Sequence, residues 1–155
     1  IKVHYSSGLR VSELVNLKVN DLDLENFRGF VRKGKGSKDR QFFLLKDLCN
    51  ELKSYLEKRE IKSEYIFSNS NTKPLTTRNI QQIIKRAALK AGIEKKVTPH
   101  TLRHSFGTHH LEAGTDIRKI QALLGHSRID TTMLYTRVSN KTLEELKNPL
   151  EDINT

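Results

Sequence analysis

A single cysteine, Cys49, stands among the 155 residues, so no disulfide can form within the chain. A domain of this size must then be held by its own core, and a lone thiol suits a reducing compartment. No apolar run approaches the ~20 residues of a membrane-spanning helix, and no stretch reads as a signal peptide, so no membrane role and a cytoplasmic location are expected. Internal repeats and low-complexity segments are also missing, which excludes solenoids and arrays. Neither an HExxH pattern nor a cysteine pair occurs. His100 and His104 have the i, i+4 spacing that metals use, but a zinc site would want a third ligand and a carboxylate base, so no metal is expected. Acidic residues are in short supply: 18 Asp and Glu stand against 28 Lys and Arg, a formal charge of +10. That balance fits a solvated basic face, or a polyanionic partner with nucleic acid as first candidate.

What is present fits one domain. The length matches a single unit of about 100–200 residues, and 35% apolar residues supply one core. The chain opens on Ile1 rather than Met, in what reads as a helix already under way, so a piece of a longer protein is expected. Residues 1–19 read as helix broken at Ser6-Ser7-Gly8, with Ser7 or Ser12 as cap of the second part. Arg10 and Glu13 stand at i, i+3 there, a pairing that can hold a guanidinium in place.

Residues 20–45 change to period two. Leu22 and Leu24 alternate with Asp21 and Asp23, Glu25-Asn26 is a turn, and Phe27, Gly29 and Val31 alternate with Arg28, Phe30 and Arg32. The run KGKGSKDR at 33–40 precedes a third apolar segment, so a small three-stranded antiparallel sheet is expected with a very basic loop between its second and third strands. A helix over 46–60 carries the stripe Leu45, Leu48, Cys49, Leu52, Tyr55 and Leu56, with Cys49 as a core thiol. A second, over 78–91, follows a cap at Thr76 or Thr77, turns Ile80, Ile83, Ile84, Ala87 and Ala88 inward, and offers Arg78, Lys85, Arg86 and Lys90 to phosphates.

Residues 98–135 concentrate the polar chemistry. Thr98 caps a helix with Pro99 in its first turn. His100, Arg103 and Gly107 fall at i, i+3 and i+7 on one face, with Leu102, Phe106 and Leu111 elsewhere on the same helix. Gly114 ends it, Thr115 or Asp116 starts another through Ile117, Ile120, Leu123 and Leu124, and Gly125 ends that one, leaving His126 just beyond. Asp130 can cap a short third helix carrying Tyr135, and Asn140 a last one over 141–147. His104, His109 and His110 read as packing or surface residues. The fold class expected is α+β: a mostly helical domain with a small three-stranded antiparallel sheet.

A phosphodiester would suit this set. A tyrosine hydroxyl, with a pKa near ~10, needs a neighbouring acceptor or a strongly positive site to act as a nucleophile. The guanidinium forks of Arg10 and Arg103 match the non-bridging oxygens of a phosphate. His126 can add a hydrogen bond, His100 can take the tyrosine proton, and Lys35 can protonate the leaving oxygen.

Spacing alone does not single these residues out; a resemblance does. SSGLRVSEL at 6–14, VRKGKGSKDR at 31–40, TPHTLRHSFGTHHLEAG at 98–114, IQALLGHS at 120–127 and TTMLYTRVS at 131–139 resemble the catalytic domain of the tyrosine recombinase, or phage integrase, family, nearest its Xer-type branch. The five motifs come in the family's order and cover essentially the whole chain. The resemblance implies site-specific DNA recombination: cleavage of one strand to a 3′-phosphotyrosine and a free 5′-hydroxyl, then rejoining, with no cofactor. It assigns Tyr135 as nucleophile, Arg10, Lys35, His100, Arg103 and His126 as the other catalytic residues, and Glu13 as support for Arg10. Lys33, Lys38, Arg40, Arg78 and Arg86 are expected to contact DNA. The partners implied are double-stranded DNA and three further copies: a homotetramer on DNA, a monomer or weak dimer free of it, with segment 141–152 docking on a neighbouring subunit. The location implied is the nucleoid. Family members usually carry an N-terminal helical core-binding domain that grips the far side of the duplex; residues 1–155 are expected to be the catalytic domain, with the core-binding domain absent from this chain. Two alternatives remain at this stage: a DNA-binding relic without chemistry, and a type IB topoisomerase-like enzyme acting as a monomer.

Overall fold

A computed structural model describes residues 1–32 and 39–125. Two short helices, α1 (Lys2–Ser7) and α2 (Val11–Val15), lead through a 3-10 turn (Val19–Asp21) to three strands, β1 (Leu22–Asp23), β2 (Arg28–Val31) and β3 (Arg40–Phe43). Four helices follow: α3 (Lys46–Lys58), α4 (Thr77–Lys90), α5 (Pro99–Glu112) and α6 (Ile117–Leu124). The sheet is antiparallel in the order β1-β2-β3, with Gly29 opposite both Leu22 and Phe42, and Val31 opposite Arg40. The α+β class expected from the sequence is the class observed.

The helix starts follow local chemistry. Thr76 Oγ1 accepts the Asn79 N–H at 3.2 Å, Thr98 Oγ1 accepts the Thr101 N–H at 3.1 Å, and Asp116 Oδ1 accepts the Arg118 N–H at 2.8 Å. Each satisfies a donor that the first helical turn leaves orphaned. The start of α2 differs from expectation. Arg10 occupies the cap position, and the Glu13 carboxylate reaches back to accept the Arg10 backbone N–H at 2.7 Å. Ser7 instead donates its hydroxyl to the Val3 carbonyl at 2.6 Å, one turn back on α1.

Two apolar clusters form. The main one gathers Leu9, Leu14, Leu17, Phe42, Leu48, Leu52, Ile66 and Ile84 between the sheet and α2–α4, with Cys49 fully buried. The smaller one joins Phe106 on α5 to Ile120 and Leu124 on α6. Three expected apolar positions are not buried: Ile83 is 43% exposed, Leu45 70% and Tyr55 41%. The buried stripes of α3 and α4 are therefore narrower than their sequence patterns. Phe27 also leaves the strand pattern. It sits at φ 54° in a turn that starts at Leu24, and its ring is exposed. Among the described residues, no helix is long and apolar enough to cross a membrane.

Candidate active site

The polar site is built on the end of α6. An α-helix leaves its last carbonyls without intrahelical donors, and these form the negative end of the helix dipole. Here three consecutive carbonyls each receive a guanidinium from a different element. Arg40 Nη1 on β3 donates to Leu123 O at 2.9 Å, Arg103 Nη2 on α5 to Leu124 O at 2.8 Å, and Arg10 Nη2 ahead of α2 to Gly125 O at 3.2 Å. Gly125 ends the helix at φ 63°, a conformation open to glycine without strain. A Cβ there would also stand 2.6 Å from the Arg40 Cδ, so glycine lets the arginine lie against the turn.

Arg103 makes a second tie. Its Nη1 donates to the carbonyl of Gly8, and the residue is only 6% exposed. Gly8 ends α1 at φ 59°, and a Cβ on it would lie 2.6 Å from the Phe106 ring. One guanidinium thus links the ends of two helices that are over a hundred residues apart in sequence. His4 completes the junction by bonding the next carbonyl, Leu9 O, through Nε2 at 2.9 Å. Burial pushes the His4 imidazole down to about 4, and the bond to Leu9 offsets only part of that shift. His4 is therefore neutral at pH 7, with Nε2 carrying the proton.

Glu13 sits between two arginines. Its Oε1 accepts from Arg10 Nη1 at 3.0 Å, and its Oε2 takes both the Arg10 backbone N–H and Arg40 Nη2. Burial pushes this carboxyl up, but the Arg10 backbone bond and the Arg40 and Arg10 charges together hold it below the ordinary carboxylate range. Arg10 is the outward member, with 41% of its side chain exposed against 9% for Arg40. Its open side faces a cleft of about 370 Å³ that Arg32 and Phe30 also line. A larger cleft, of about 540 Å³, lies between the end of α4 and the start of α5 and shares no residue with the arginine cluster.

Of the residues singled out in the sequence, Arg10, Glu13 and Arg103 converge at the end of α6. His100 is exposed in the first turn of α5, its ring 6.5 Å from that of His104. Arg78 and Arg86 are exposed on α4, opposite the buried Ile80, Ile84 and Ala88. Arg40 departs from its expected place on a DNA-facing loop: its side chain turns inward onto Glu13 and Leu123. The signal was in the alternation, since Arg40, Phe42 and Leu44 share one strand face and the last two are buried. His4 was not foreseen; its signal was a position between Val3 and Ser7, both also buried. Lys33, Lys35, Lys38, His126, Tyr135 and segment 141–152 lie outside the described residues. His109 accepts or donates at Tyr5 Oη through Nδ1, and His110 packs its ring edge-on to Phe106 at 4.4 Å, so both act in packing. Among the described residues, no three His, Cys, Asp or Glu side chains gather in a metal-holding group.

A mostly helical domain with a three-stranded antiparallel sheet, whose arginines from separate elements meet on one helix end, defines the class that comparison with known proteins then names. The model of the phage integrase family matches residues 1–142, and the chain belongs to that family. It is 50% identical over 150 residues to the tyrosine recombinase XerA of Thermococcus kodakarensis, covering 95% of this chain and 51% of the relative. To the tyrosine recombinase XerD of Listeria innocua it is 43% identical over 154 residues, covering 94% and 51%. The chain thus spans about half the length of the curated relatives it matches. Its fold is similar to the crystal structure of XerA recombinase, with a TM-score of 0.82 and 41% identity over 93% of this chain and 54% of that one. It is also similar to the site-specific recombinase XerH, solved bound to a palindromic difH substrate as a post-cleavage complex. There the TM-score is 0.77 and the identity 34%, over 93% of this chain and 42% of that one.

Proposed function

We propose that this chain is the catalytic portion of a site-specific DNA recombinase that cuts and rejoins strands through a 3′-phosphotyrosine. The observation that carries the reading is the meeting of Arg10 and Arg103, 93 positions apart, on the two carbonyls directly before His126. Its relatives named tyrosine recombinases, and the XerH complex with its difH substrate, support it.

In this reading the Tyr135 oxygen attacks a backbone phosphorus and passes its proton to His100. The bond from phosphorus to the 5′-oxygen breaks, and that oxygen takes a proton from Lys35. Arg10, Arg103 and His126 bind the non-bridging oxygens, where negative charge grows in the transition state. Glu13 holds Arg10 still. Arg103, bonded to the Gly8 and Leu124 carbonyls, turns its remaining N–H groups to the phosphate. The ester conserves the bond energy, and an incoming 5′-hydroxyl reverses the step. Lys33, Lys38, Arg78 and Arg86 meet phosphates along the duplex, a sequence-independent contribution that weakens with salt. Four copies assemble on DNA in the nucleoid, each docking segment 141–152 on its neighbour.

Covalent trapping tests the chemistry. The chain, and the chain joined to the N-terminal half of the XerA relative, are incubated with a pool of nicked duplexes of random sequence. The nick lets the 5′-fragment leave, so an adduct accumulates and appears as a shifted band on a denaturing gel. The expected result is a band from the wild type and none from Tyr135→Phe. An adduct that persists in Tyr135→Phe, or none from either protein, overturns the reading. Deleting 141–155 should abolish cooperative cleavage of paired sites; unchanged cooperativity would remove the docking of that segment.

A further inference from the structure

Arg40, the first residue of β3, is built into the protein rather than offered to a ligand. Its guanidinium makes two bonds to two different elements: Nη2 to Glu13 Oε2 on α2, and Nη1 to the Leu123 carbonyl on α6 at 2.9 Å. Its side chain is 9% exposed and lies against the Gly125 turn. Glu13 in turn grips Arg10 at both the backbone and the guanidinium. The start of β3, the arginine at the cleft, and the end of α6 are therefore connected through one side chain.

We propose that Arg40 is a positioning residue of the cleavage reaction, locking Glu13 and hence Arg10 to the end of α6. The inference rests on the function proposed above. Without Arg40, Glu13 Oε2 keeps only a backbone donor and Leu123 O loses the donor that the structure gives it. Glu13 is then held only by Arg10, and the pair keeps a single tie to the end of α6, the bond from Arg10 Nη2 to Gly125 O. Lysine cannot replace the fork, because a single ammonium on a flexible stem does not span a carboxylate and a carbonyl in fixed geometry.

The test compares wild type, Arg40→Gln, Arg40→Lys, Glu13→Gln and the double variant Arg40→Gln/Glu13→Gln on a nicked duplex. Three quantities are read: the single-turnover rate of adduct formation at saturating DNA, the affinity at several salt concentrations, and the NMR signal of the Arg10 side-chain Nε–H, assigned with Arg10→Lys. Displacing a catalytic group by an ångström costs roughly 10²-fold in rate, so a loss of that order is expected in Arg40→Gln. A smaller loss is expected in Arg40→Lys. Affinity and its salt dependence stay at the wild-type values, the Arg10 signal shifts, and the double variant is no slower than the slower single one, as for residues acting through one link.

A weaker affinity with a salt slope reduced by about one, at an unchanged saturating rate, would make Arg40 a phosphate contact and overturn the proposal. So would an unchanged rate together with an unmoved Arg10 signal. Where Arg40→Gln does not fold, Arg40→Lys supplies the same comparison. A wild type that forms no adduct removes the proposed function, while the Arg10 signal still reports whether Arg40 holds Arg10.

Discussion

The main core and the small cluster under α6 differ in what secures them. Around Leu9, Phe42, Leu52 and Ile66, apolar side chains from α1, α2, β2, β3, α3 and α4 enclose one another, and their burial favours the fold. Under α6, among the described residues, only Phe106, Ile120 and Leu124 form the buried cluster, and the helix end is held by Arg10, Arg40 and Arg103. A large core tolerates small shifts, since hydrophobic attraction has no direction. A guanidinium between two carbonyls does not, since its bonds are directional and their loss leaves buried acceptors unpaired. The candidate site is thus the region fastened by directional contacts.

Breaking the arginine-held junction should have the largest effect. Arg103→Lys leaves the Gly8 and Leu124 carbonyls poorly paired, at about 1–3 kcal/mol for each buried group. Urea unfolding should show a loss of about 2–6 kcal/mol in all, and adduct formation should vanish even where the variant remains folded. Leu52→Ala attacks the other region. It should cost about 2–5 kcal/mol in the same unfolding assay, yet leave adduct formation per folded molecule unchanged. A matching loss of chemistry in Leu52→Ala would erase the distinction between the two regions.

The pH dependence sharpens the comparison. His4 has an ordinary value of 6.5 when unfolded and about 4 when folded, so the unfolded chain binds the extra proton between those values. Stability from this residue is complete above pH 6.5 and falls as pH drops toward 4. By pH 5 the loss should be about 2 kcal/mol. Glu13, held below the ordinary carboxylate range, adds a further loss only at more acid pH, as its own proton binds. Urea unfolding at pH 7 and pH 5 should therefore show a drop in the wild type that is absent in His4→Gln. The smallest effect is expected at Ile83, which is 43% exposed: Ile83→Lys should change stability by under about 0.5 kcal/mol. A loss several times larger would return Ile83 to the core.

Much of the fold was legible because its signals are local. Thr76, Thr98 and Asp116 cap helices through side-chain oxygens two or three residues from their donors, and Gly114 and Gly125 stop helices through their own φ. The alternation at Gly29 and Val31 marked the buried face of β2, although Phe27, read in the same alternation, is exposed. Part of the candidate site was legible as residue types, since the family motifs singled out Arg10, Glu13 and Arg103, which the structure brings together at the end of α6. Arg40 was read the wrong way because a charge in a basic loop is expected outside, although its strand face pointed inward. The exposure of Ile83 and Leu45 was hidden for a different reason: periodicity reports a helix face, while its buried width depends on what packs there.

The sequence by itself determined the class of fold, the starts of α4, α5 and α6, and the family, since capping, strand alternation and motif spacing act over a few residues. Only the tertiary structure decided that three arginines meet on successive carbonyls of α6, that Glu13 serves two of them, and that His4 is neutral. Those contacts join residues up to 115 positions apart. They exist because the end of α6 arrives, through the packing of α5 and α6, where its unpaired carbonyls need donors.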